Sequence, residues 1–159
     1  MKLSDTINNK TILFPLESTS KKEAIELLLN HCIKADMLQS SGKLNLYLNN
    51  KDKIFNSAAG RGIAYHYNTS VEVKKIISIL GISKNGINYN AEDGLLCNFI
   101  LLVLEPENEP TQHRKFINLF QDMMHSPLTK SKLVEAQSKE EILKIINDWE
   151  IKLLEDEII

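Results

Sequence analysis

Cysteine is scarce: the 159 residues hold two, Cys32 and Cys97. They are far apart and show no CxxC or Cys/His ligand spacing, so a disulfide framework and a zinc centre are both disfavoured. Buried free thiols are expected, with no metal and no cofactor. Long apolar runs are missing too. The longest, Phe99 to Leu104, is far too short to cross a bilayer, and the opening "MKLSDTINNKTILF" has only broken apolar pieces where a secretory signal needs a continuous one. The chain is therefore expected in the cytoplasm, without direct membrane insertion. Nor is there an excess of one charge sign. The formal net charge is −2 with both signs interspersed, which gives no extended positive field for nucleic acid or an anionic membrane surface.

What remains is an average soluble composition, 43% hydrophobic and 25% charged, at the length of one domain. Ser20 with Glu23 has capping-box spacing ahead of Ala24, Ile25, Leu28, Leu29 and Cys32, which predicts a helix from about Lys21 to Lys34. "SGKLNLYLNNKDKIF" fits a strand through Leu44, Leu46 and Leu48, or a helix through Leu44, Tyr47 and Leu48; it is read as a helix after Ser41. "GIAYHYN", "VKKIISILGIS" and "CNFILLVLEP" are rich in β-branched residues. The third is apolar on both faces, as for a central strand covered by helices on each side. Asn85-Gly86 and Asp93-Gly94 are turn signals between the second and third, and "EPENEPTQ" is read as a polar loop. "HRKFINLFQDMMH" sets Phe116, Phe120 and Met123 on one helical face. Ser126-Pro127 starts a short helix through Val134, and Ser138 with Glu141 opens a last helix carrying Ile142, Ile145, Ile146 and Trp149.

The glycines at 60 and 62 allow a tight turn with N–H groups facing an anion, although a lone G-x-G says little. The order around them says more. Residues 51 to 68, "KDKIFNSAAGRGIAYHYN", resemble the active-site segment of enzyme IIA domains of the bacterial phosphotransferase system, in the fructose, mannitol and nitrogen-regulatory class. There an Arg-Glu pair and a Ser-Thr-Gly stretch lead to G-x-G-[IV]-A-[IL]-P-H, whose histidine takes a phosphoryl group from the histidine phosphocarrier protein. Gly60, Gly62, Ile63 and Ala64 match, Tyr65 takes the aliphatic position, His66 the proline position, and Tyr67 that of the phosphoryl-accepting histidine. The register continues through the "AEDG" of 91 to 94 and Pro106. It reaches the "QH" of 112 to 113, where the family has its second histidine, and the "KEEIL" of the last helix. The resemblance covers about residues 3 to 150 and implies a single α/β (α+β) domain, a mixed β-sheet flanked by helices on both faces, with 151–159 as a helical tail.

The departures gather at the site: Lys51 for the arginine, Phe55 to Ala58 for the Gly-Ser-Thr-Gly run, Arg61 for a polar residue, and Tyr67 for the histidine. A phenol titrates near 10, and its phosphate ester has much lower transfer potential than phosphohistidine, so Tyr67 is a poor relay group. His66 is the rival acceptor, yet in an extended strand it points away from the spot that Tyr67 faces. His113 matches the supporting histidine, or is a helix-start residue that caps or packs. Lys51, Ser57, Gly60, Arg61 and Gly62, with His113, form a small anion pocket or a set of solvated charges. Three functions follow from the resemblance. The first is a regulatory module that docks on the histidine phosphocarrier protein or other phosphotransferase and regulatory proteins. The others are a working phosphocarrier using His66 and a binding protein for a small phosphorylated metabolite.

Overall fold

Ser20 begins the first helix as its spacing predicts: its Oγ accepts the Glu23 N–H at 3.1 Å, while the Glu23 carboxylate takes the Thr19 hydroxyl. In the computed structural model, which describes residues 1–108 and 112–158, this is α1, Lys21–Lys34. A short 3-10 helix, Leu3–Asp5, and strand β1, Ile12–Leu13, precede it. The ambiguous stretch is helix α2, Gly42–Ile54, because Leu44 and Leu48 lie one turn apart and are buried while Leu46 is exposed.

Four strands follow: β2 Ala58–Gly60, β3 Ile63–Ser70, β4 Ile77–Ile87 and β5 Cys97–Pro106. The sheet order is β1-β4-β5-β3-β2, with β5 parallel to β3 and antiparallel to β4. Strand β5 is central and buried on both faces. Ile100, Leu102 and Leu104 join the core under α1 and α2, and Phe99, Leu101 and Val103 join the opposite core. Each such side chain contributes about 2 kcal/mol by leaving water. That second core is closed by α3 (Gln112–Met124), α4 (Pro127–Glu135) and α5 (Lys139–Ile158). Helices therefore cover both faces of a mixed sheet. Among the described residues no helix is long and apolar enough to cross a membrane.

Asn85-Gly86 corrects one expectation. It is not a turn between strands but an irregularity inside β4, where the register with β5 shifts between Ile82 and Ile87. Gly86 sits at φ 78° with its backbone against Leu96, so that a Cβ there would lie 2.6 Å from the Leu96 Cβ. The Asp93-Gly94 signal does mark a turn, closed by the Gly94 N–H on the Ala91 carbonyl at 3.0 Å. Part of the polar loop, residues 109–111, lies outside the described residues. The last helix continues without a break from Glu150 through Ile158. Buried Glu150 accepts the Leu3 and Ser4 N–H groups at 2.6 and 3.0 Å and so fastens the N-terminal turn to α5. Both cysteines are free and buried.

Candidate functional site

Alternation along β3 decides which rings can meet. Ile63, Tyr65 and Tyr67 face the core of α3 to α5, while Ala64 and His66 face α1 and α2. His66 is 3% exposed. Its Nε2 lies 2.8 Å from the Tyr89 hydroxyl and its Nδ1 3.2 Å from Ser57 Oγ. Ser57 in turn donates its hydroxyl to Asp52 Oδ1 at 2.7 Å. One arrangement satisfies the whole chain: a neutral ring that donates from Nδ1 to Ser57 and accepts the Tyr89 proton at Nε2. Burial pulls the His66 pKa down to about 4, against the pull of Asp52 and aided by Lys21. For Asp52 itself burial is the largest influence and pushes upward, but hydrogen bonds from Lys21 and Ser57 outweigh it and hold the carboxyl below its ordinary range.

On the other face, the Tyr67 ring stacks on His113, with centroids 4.2 Å apart and planes inclined by 24°. Beneath them is Glu105, fully buried at the end of β5. Its Oε2 accepts the Tyr67 hydroxyl at 2.7 Å and His113 Nδ1 at 2.9 Å, and its Oε1 accepts the His113 N–H at 2.7 Å. The Tyr67 phenol is pushed up to about 12 by burial first, then by its bond to Glu105 and that residue's charge. Lys51, from the last turn of α2, donates to the Tyr67 carbonyl at 2.9 Å and places Nζ 5.1 Å from the ring centre.

Of the five residues expected to hold an anion, Lys51 and Ser57 line one pocket, while Gly60 and Arg61 line another. Lys51 joins Tyr67 and Ser57 joins Asp52. Gly60, Arg61 and Gly62 form the β2–β3 turn at φ 85°, 60° and 81°. The Arg61 N–H in that turn is taken by the Asp93 carboxylate at 2.7 Å, its guanidinium reaches the Met124 carbonyl at 3.2 Å, and Lys130 binds its own carbonyl. An open pocket of about 300 Å³ is lined by Leu48, Lys51, Phe55, Ser57, His66 and Tyr67. Sequence reasoning missed Glu105, Asp52 and Tyr89. Glu105 did carry a signal: a lone acid at the end of a strand apolar on both faces is forced inside and needs donors around it.

The sequence model of the family described as "Phosphoenolpyruvate-dependent sugar phosphotransferase system, EIIA 2" matches residues 5–149. The chain is 23% identical over 147 residues to the PTS system fructose-specific EIIABC component of Bacillus subtilis, covering 92% of this chain and 23% of that protein. It thus spans about a quarter of that relative's length. It is 22% identical over 148 residues to the nitrogen regulatory protein of Bradyrhizobium diazoefficiens, covering 92% and 95% of the two chains. Its fold superposes on the crystal structure of nitrogen regulatory protein IIA-Ntr from Neisseria meningitidis with a TM-score of 0.80 at 20% identity, covering 91% of this chain and 98% of that one.

Proposed function

Given that the chain belongs to the EIIA 2 family of the phosphoenolpyruvate-dependent sugar phosphotransferase system, we propose that it is a regulatory interaction module that docks on partner proteins without accepting a phosphoryl group. One observation carries this reading: the ring facing His113 is the phenol of Tyr67, while the imidazole next to it in sequence is buried on the opposite face of the sheet. A relay of this kind stores its phosphoryl group on a histidine nitrogen, from which it passes to the next histidine or cysteine at little cost. The Tyr67 hydroxyl is instead a proton donor to Glu105, with its pKa raised to about 12, so it stays a neutral, weakly nucleophilic oxygen whose phosphate ester would lack the transfer potential of phosphohistidine. His66 holds both ring nitrogens in internal hydrogen bonds.

Docking draws support from the rim. Phe55 lines the pocket beside Tyr67 and is 73% exposed, and its neighbour Ile54 is 74% exposed, which leaves an apolar face next to Lys51. The partners that fit are the histidine phosphocarrier protein, other phosphotransferase proteins, or regulatory proteins that read this face.

The test uses the phosphorylated histidine phosphocarrier protein as donor. The expected result is no acid-labile phosphate on the chain. In calorimetric titration with a phosphotransferase partner, binding weakens about tenfold or more on Phe55→Ala, the scale of one central apolar anchor. Label that a His66→Ala substitution removes establishes the phosphocarrier alternative, with His113 as support. A rise in melting temperature with sugar phosphates but not with partner proteins establishes metabolite binding.

A further inference from the structure

At the start of α3 the chain supplies an anion of its own. We propose that Glu105 is an internal surrogate for a phosphoryl group: it fills the anion site beside residue 67 and closes that site to transfer even when an imidazole is supplied there. This rests on the reading of the site as one that does not transfer, and adds a second block independent of Tyr67.

The geometry is that of an occupied anion site. The His113 N–H belongs to the first turn of α3, where helix amides have no intrahelical acceptor and the helix dipole favours negative charge. Glu105 Oε1 takes that N–H at 2.7 Å. Its Oε2 takes His113 Nδ1 at 2.9 Å and the Tyr67 hydroxyl at 2.7 Å. Among the described residues, the three groups that converge on this spot are therefore spent on one carboxylate. A nearby cation, Lys51, donates to the Tyr67 carbonyl. A phosphoryl group arriving at residue 67 meets a buried acid within hydrogen-bonding distance and finds its stabilising donor already engaged. The acid itself is conspicuous, since Phe99 to Leu104 ahead of it on β5 are all apolar and buried, and a carboxylate in such a place persists only where donors are built around it.

The experiment compares the full chain with Tyr67→His, Glu105→Gln and the Tyr67→His/Glu105→Gln pair, each treated with phosphoramidate at neutral pH. Transfer breaks the P–N bond of phosphoramidate and forms a P–N bond to the imidazole at position 67. Ammonia leaves, carrying the proton that the ring N–H gives up. The label at position 67 is measured by peptide mass spectrometry against exposed His125 in the same molecule. The expected result is labelling at least about tenfold faster in the double variant than in Tyr67→His alone, below what one well-placed donor to a reacting group is worth. Loss of packing alone does not accelerate a reaction at one chosen ring. A Tyr67→His/Glu105→Leu variant, with cooperative melting checked for each protein, replaces the glutamine version if that one does not fold. Equal rates in the single and double variants, or no label at 67 in any folded variant, overturn the proposal. Label on His66 of the unsubstituted chain overturns the docking reading instead, so the two failures are distinct.

Discussion

Two neighbouring rings on one strand have opposite fates because a pleat turns successive side chains to opposite faces. This much was legible from "GIAYHYN": period-2 reasoning sends His66 away from the spot that Tyr67 occupies, and the structure has that arrangement. What each ring meets was not legible, because Tyr89 is 23 residues from His66 and Glu105 is 38 from Tyr67. Only the closed sheet brings them together. The isolation of His66 has a thermodynamic consequence. With its folded pKa near 4 and an ordinary value of 6.5, the unfolded chain binds more protons between those pH values, so stability rises with pH across that window. Folding free energy from urea melts should fall by up to about 3 kcal/mol as pH drops from about 6.5 to about 4, and a His66→Gln variant should flatten the dependence. At pH 7 the same substitution should cost about 1–3 kcal/mol, because Tyr89 or Ser57 loses its partner. A His66→Gln protein with unchanged pH dependence contradicts the buried neutral ring.

At the scale of elements, apolar periodicity and caps were readable and long-range register was not. The helices at 21 and 139 begin where Ser20 and Ser138 accept an N–H three residues on, and β5 is where an uninterrupted apolar run belongs. Asn85-Gly86 misled because the local preference of Gly for positive φ serves a bulge as well as a turn, and contact with Leu96, just ahead of β5, decides between them. Gly86→Ala should therefore cost more than about 2 kcal/mol, combining strain at φ 78° with a clash, whereas Gly42→Ala, with open space around it, should change stability by under about 1 kcal/mol. Thermal melts of the two variants check the contrast. Glu150 makes a second case. Glu150→Gln should speed amide exchange at Leu3 and Ser4, since the charge that holds both N–H groups is gone, while the β5 amides keep their protection.

For the molecule as a whole, the family fold is present and the side chains of the candidate site bond internal partners. Ser57 serves Asp52 and His66, the Arg61 amide serves Asp93, and His113 serves Glu105. The fold of the family was readable because its glycines, its apolar strand and its "QH" keep one register along the chain. The internal partners of Ser57, the Arg61 amide and His113 were not, since charge and spacing do not reveal which carboxylates the fold brings beside them. Everything turns on which ring faces His113. Proton cross-relaxation between assigned aromatic side chains in the folded protein reads this directly. Cross-peaks joining the Tyr67 ring to the His113 ring, and the His66 ring to the Tyr89 ring, are the predicted result, because the Tyr67 and His113 centroids stand 4.2 Å apart and those of His66 and Tyr89 5.7 Å apart. Cross-peaks from the His66 ring to the His113 ring, with none from Tyr67, would contradict the account.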